Sequence, residues 1–138
     1  MSTGDTRWTD ALEIEEVLVR YATGIDRRDW ELFRRCFTDD LHADYEGVAL
    51  WKGVAEITDY MQAAHADMGH TMHRLSNMAI SVDGDRATAR TYVDAVLMAA
   101  DGQSGVNPVG FYDDELVRTE DGWRIRRRTF TAVRFTFL

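Results

Sequence analysis

The chain has 138 residues, 45% hydrophobic and 29% charged, which fits one folded domain with its own core. Its 24 acids against 16 bases give a net charge of −8, which repels phosphate backbones and excludes general nucleic-acid binding. A single cysteine, Cys36, excludes an internal disulfide and a multi-cysteine zinc site, and a single proline excludes collagen-like and low-complexity chains.

From Met1 to Trp8 the chain is polar and lacks the apolar stretch of a signal peptide. Asp10 and Glu13 are spaced as a capping box. Behind them Leu12, Ile14, Val17, Leu18, Tyr21, Ala22 and Ile25 follow the i, i+3, i+4 rule, which predicts a helix of about 15 residues. A short second helix is predicted from Asp29 to Cys36, with Trp30, Phe33 and Phe37 on one face and Cys36 as a small buried hydrophobe. Leu41 to Gly47 reads as a short strand. Gly53 precedes a third helix, Val54 to Met68, with Ile57, Met61, Ala64 and Met68 along one side.

After Gly69 the texture changes. Residues 71–83, 86–99, 109–119 and 123–137 are rich in Val, Thr, Tyr, Phe and Ile and are separated by Asp-Gly turn signals at Asp83-Gly84, Asp101-Gly102 and Asp121-Gly122. Gly102 to Pro108 reads as a polar loop. Helices followed by an antiparallel meander argue an α+β fold in which a curved sheet, covered on one face, leaves a pocket. Residues 122–138 carry five arginines and no acid. No run approaches the ~18 apolar residues of a membrane span, so the expected location is the cytoplasm.

Chemistry-bearing residues fall on elements whose neighbours are apolar. Alternation puts His73, Leu75 and Asn77 on one strand face, and a histidine in a pocket suits general base work. Asp26 closes the first helix, where the macrodipole disfavours a carboxylate; its partner is either His73 or a neighbouring Arg27 or Arg28. Tyr21 lies on the apolar stripe and Tyr45 at a strand end, and buried hydroxyls need partners. Tyr92, Asp94, Val96 and Met98 share a face, so Asp94 needs a cation, with Arg127 and Arg128 as the options. Strict alternation turns Arg127 with Trp123 and Ile125; a bulge turns Arg128 inward instead. His65, His70 and His73 are close in sequence but fall on a helix, a turn and a strand, so no metal site is expected. There is no glycine-rich phosphate loop and no G-x-S-x-G.

The runs Tyr21-Ala22-Thr23-Gly24-Ile25-Asp26, Asp44-Tyr45, Thr71-Met72-His73-Arg74-Leu75-Ser76-Asn77, Gly110-Phe111-Tyr112-Asp113-Asp114 and Gly122-Trp123-Arg124-Ile125, in this order and spacing, resemble SnoaL-like proteins of the NTF2-like superfamily. Within it the pattern is most similar to the scytalone dehydratase and bile-acid 7α-dehydratase branch. The resemblance covers residues 9–134 of a single domain spanning 1–138. It implies an α+β cone: three N-terminal helices on a strongly curved antiparallel or mixed sheet, with an internal pocket and pairing into a homodimer. It also implies an acid/base pair at Asp26 and His73 with Tyr45 as pocket tyrosine, and Tyr21, Asp94 and Arg128 as further lining. Tyr112, Trp51 and Asn77 complete the expected substrate contacts.

Three functions follow as expectations. The first is a cofactor-independent dehydratase or isomerase acting on a cyclic, largely apolar keto or hydroxy compound. The second is a polyketide or pericyclic cyclase of secondary metabolism that works mainly by positioning. The third is a small-molecule binding protein without turnover.

Overall fold

In a computed structural model, residues 6–138 are described; the polar run read from Met1 lies outside them as far as residue 5. Helix α1 (Arg7–Asp26) buries Ile14, Val17, Leu18, Tyr21, Ala22 and Ile25, the stripe set by its 3.6-residue period. It begins before the expected start, and Asp10 is not its cap. Asp10 is buried inside the first turn, where it accepts hydrogen bonds from Arg118 Nη1 at 2.8 Å and Trp123 Nε1 at 3.2 Å. Leu12 stands outside the stripe at 67% exposure, because its helical neighbours one turn on are Glu15 and Glu16.

The chain reverses through Arg28, whose φ is 57°, and the Asp29 amide donates to Gly24 O at 2.8 Å. Asp29 then caps α2 (Trp30–Arg34), accepting from the Leu32 amide. Cys36 follows α2 in a turn, and burial pushes its thiol up to about 12, so it packs as a hydrophobe.

Six strands form one mixed sheet in the order β2-β1-β6-β5-β4-β3. They are β1 (Phe37–Tyr45), β2 (Ala49–Lys52), β3 (Met68–Asp83), β4 (Arg86–Ala99), β5 (Gly105–Thr119) and β6 (Gly122–Phe137). The pair β1–β6 is parallel and the other pairs are antiparallel. The sheet does not close into a barrel. β1 is longer than the strand expected from Leu41, and β2 was not expected at all. Helix α3 (Val54–His65) stops before Met68, so His70 lies in β3 and not in a turn. Residues 105–108, read as loop, extend β5.

The inner face of β4 carries Ala87, Ala89, Thr91, Val93 and Ala95, all buried, and the small alanines leave room for the helices. Register shifts occur in β3 between Ser76 and Ala79, and in the β5–β6 pairing beside Gly110 and Leu116. Such bulges bend and twist a sheet. Among the described residues no helix is long and apolar enough to cross a membrane.

Gly24 joins the two first helices. A Cβ there would lie 2.8 Å from the Phe33 amide nitrogen and 3.0 Å from Phe33 Cα. Both are backbone atoms, so one helix must move. Alanine elsewhere in a helix gains about 1 kcal/mol over glycine. Gly24→Ala is expected to lose about 1–3 kcal/mol instead through overpacking, read as a lower urea midpoint.

Candidate functional site

Asp26 ends α1 and faces His73 on β3. The His73 Nδ1–H donates to Asp26 Oδ1 at 2.7 Å, and the His73 amide donates to Oδ2 at 2.8 Å. Thr71 Oγ1 adds a third bond to Oδ1 at 2.9 Å. A carboxylate only accepts, so Nδ1 carries the proton and Nε2 is the basic nitrogen of the ring. Burial opposes ionisation of Asp26, but the bonds from His73 and Thr71 outweigh it and hold the carboxyl below the usual range.

Arg28 does not pair with the Asp26 carboxylate. Its guanidinium donates to the carbonyls of Ile25 and Asp26, to Thr71 Oγ1 and to Gly69 O. A cation thereby covers the negative end of α1 and sews it to β3.

His73 lines a cavity of about 600 Å³ between the helices and the inner face of the sheet. Its walls include Ile25, Met61, Val93, Leu97 and Phe130. Tyr21, Tyr45 and Tyr112 also line it, and the Tyr21 and Tyr45 hydroxyls share a hydrogen bond of 2.7 Å. Burial pushes all three phenols up, so all three remain protonated.

Arg128 sits beneath this tyrosine cluster. The register shift between Glu115 and Leu116 turns it inward, while Arg127 faces out to Glu115. Arg128 is 1% exposed and binds Asp114 through Nε at 2.7 Å and Nη2 at 2.9 Å. Its guanidinium carbon lies 3.9 Å from the Tyr112 ring centre and 4.4 Å from that of Tyr21. Burial works against the charge on both partners; at Asp114 it outweighs Arg128 and leaves the carboxyl above its usual range, while Asp114 and the tyrosines hold the Arg128 guanidinium well above its own. Arg128 therefore backs the tyrosines and is not a cavity wall.

Three expected contacts lie elsewhere. Asp94 points to the outer face with its side chain 48% exposed, paired with Arg74 and Asn107 and with neither Arg127 nor Arg128. The buried neighbours Val93 and Ala95 take the inner positions of β4 on either side of it. Asn77 occupies the β3 bulge with φ of 51° and is exposed, so alternation from His73 fails there. Trp51 is buried behind Tyr45, its ring 4.9 Å from both Tyr45 and Tyr60.

The sequence names two further residues without showing their roles. Asp114 is the buried partner of Arg128; its signal was an acid at an inward position opposite an arginine-rich strand. His65 lines the cavity from the end of α3, one helical turn after Met61. Among the described residues no three His, Cys, Asp or Glu side chains gather to hold a metal ion. A larger groove of about 870 Å³ runs over Asp40, His42, Asp83, Arg86, Glu115 and Arg127, but its charges are solvated and the Asp26–His73 pair is not in it.

The SnoaL-like domain family matches residues 6–129. An uncharacterized protein of Mycobacterium tuberculosis (strain ATCC 25618 / H37Rv), Rv2910c, is 35% identical over 125 residues, covering 89% of this chain and 85% of that protein. The crystal structure of Kfla4162 from Kribbella flavida is 33% identical, covers 93% of both chains and superposes with a TM-score of 0.86. The hexachlorocyclohexane dehydrochlorinase LinA-type3 of Novosphingobium barchaimii LL02 shares the fold at 19% identity, covering 96% of this chain and 92% of that one, with a TM-score of 0.84.

Removing one member of a buried ion pair strands the other. Asp114→Asn and Arg128→Met are each expected to lower the unfolding free energy by about 3–5 kcal/mol. The double variant is expected to lose less than the sum of the two, measured by denaturant titration of all four proteins.

Proposed function

We propose, because the chain belongs to the SnoaL-like family of the NTF2-like superfamily, that its cavity takes a small apolar cyclic keto or hydroxy compound and that His73 moves protons on it. The observation that carries this reading is the Asp26–His73 pair, held by 2.7 Å and 2.8 Å hydrogen bonds, on the wall of a cavity that also holds the Tyr21–Tyr45 hydroxyl pair.

In this reading His73 Nε2 removes a proton from the carbon next to a carbonyl. The C–H electron pair moves into a carbon–carbon double bond, and the carbonyl oxygen becomes an enolate. Asp26 shares the charge of the imidazolium that forms. One tyrosine of the pair donates to the other, so one hydroxyl proton remains for the enolate oxygen. The enolate then collapses. In a dehydration it expels a hydroxyl that takes the proton from His73, and water leaves. In an isomerisation the same proton goes to a more distant carbon. Both outcomes use the same groups.

Hydrogen–deuterium exchange tests the first step without the natural substrate. Wild-type protein in D₂O is expected to speed exchange of the protons beside the carbonyl of 2-tetralone, followed by NMR. His73→Ala is expected to lose about 10²–10⁴-fold of that acceleration, with smaller losses for Asp26→Asn and Tyr45→Phe. A folded His73→Ala that exchanges as fast as wild type would sink the acid/base role.

We carry the reading to assembly as well. The outer sheet face exposes Met72 and Tyr92 among the pairs Arg74–Asp94 and Arg90–Asp113, a surface with both signs of charge around largely apolar side chains. Two copies can meet there with opposite charges facing. Light scattering is expected to give twice the 15.8 kDa chain mass, and a single-chain mass would exclude the homodimer.

A further inference from the structure

Among the residues lining the cavity, one buried nitrogen has no hydrogen-bond partner in the protein and no part in the proton-transfer scheme. His65 is 5% exposed, and its ring Nδ1 lies 2.7 Å from the Met61 carbonyl oxygen. A carbonyl only accepts, so Nδ1 carries the ring proton. Nε2 is then a lone-pair acceptor. It is buried, and no group of the protein bonds to it. Burial lowers the affinity of this ring for a second proton, so the lone pair is available near neutral pH.

The groups around His65 do not supply the missing donor. Arg28 spends its guanidinium on four oxygens at the end of α1 and on β3. His73 gives its Nδ1 proton to Asp26, and the Trp30 ring approaches His65 edge-on at 6.0 Å. A buried acceptor without a partner is costly, and folded proteins rarely keep one without a use. The residues lining the cavity include Glu46 and no lysine or arginine, which favours an uncharged ligand over an anion.

We infer that His65 Nε2 accepts a hydrogen bond from a hydroxyl of the ligand. This rests on the cavity being the ligand site. It adds a second polar point to the ligand: one oxygen that accepts from the Tyr21–Tyr45 pair, and one hydroxyl that donates to His65. Two such polar points on a mainly apolar wall fix which way round a ring system sits.

The test compares 2-naphthol with 2-methoxynaphthalene, which keeps the ring and the oxygen but has no proton to donate. Calorimetry on wild type is expected to show 2-naphthol binding about 3- to 10-fold tighter. His65→Phe is expected to bind both equally. A measurement on wild type alone guards against a misfolded variant: the His65 Nε2 nitrogen resonance should move on adding 2-naphthol and not on adding its methyl ether. A preference that survives in folded His65→Phe, or an Nε2 resonance indifferent to 2-naphthol, overturns the inference while leaving the proton-transfer reading intact. If neither compound binds wild type, the cavity reading fails and this inference fails with it.

Discussion

The carboxylate of Asp26 joins the last turn of α1 to β3, and the geometry of the cavity depends on that join. Three hydrogen bonds meet on its two oxygens, two from His73 and one from Thr71. A carboxylate at a helix C-terminus is unfavourable by about 0.3–1 kcal/mol. Arg28 offsets this by donating to the terminal carbonyls while reaching across to Gly69 and Thr71. To get there it adopts a left-handed backbone, a conformation that costs a non-glycine residue of the order of 1 kcal/mol or more. Two locally unfavourable choices, an acid and a left-handed arginine, thus combine into one clasp. Within that clasp Asp26 fixes the tautomer and direction of His73.

A second polar layer lies under the tyrosines. The Arg128–Asp114 pair is fully enclosed, and pairs of this kind are weak evidence for stability because both charges are desolvated. Its placement has another consequence. Burial alone disfavours negative charge at Tyr21, Tyr45 and Tyr112, and the Arg128 cation opposes that effect at all three. A cation fixed below hydroxyls that receive a hydrogen-bonded enolate would favour that charge with no reorganisation. Asp114 limits the effect by pairing with the guanidinium through two hydrogen bonds. The result is a polar floor of tyrosines with the ion pair enclosed beneath it.

Much of this was legible in the sequence wherever the signal was local. The stripe of α1 from Ile14 to Ile25 follows from the helical period, and the Asp-Gly turns mark the hairpins. The family pattern put Asp26, His73, Tyr21 and Tyr45 in one region, and the structure brings those four together. The failures share a different cause. Asp10 looks like a cap because spacing cannot reveal Arg118, 108 residues away. Asp94 was put on the wrong face because alternation separates two faces without saying which is inside. Asn77 sits in a bulge, where one extra residue reverses the alternation and carries it out; the bulge in β6 that the sequence offered as an alternative carries Arg128 in. β2 is four residues long and too short for any period to show.

The two histidines of the cavity show how a neighbour divides labour between identical side chains. Each gives its Nδ1 proton to an oxygen at 2.7 Å. For His73 that oxygen belongs to a carboxylate, and for His65 to a neutral carbonyl. A carboxylate can share the positive charge that arises when Nε2 takes a proton; a carbonyl offers only its dipole. His65 is also the ring that burial biases toward neutrality. In the proposed reading the same imidazole is a proton carrier at one wall and a fixed acceptor at the other. Exchanging the supports, by replacing Asp26 with a neutral amide, removes the carrier and leaves the acceptor. Proton transfer and ligand orientation should accordingly separate in an Asp26→Asn protein: exchange of 2-tetralone protons falls while the preference for 2-naphthol stays.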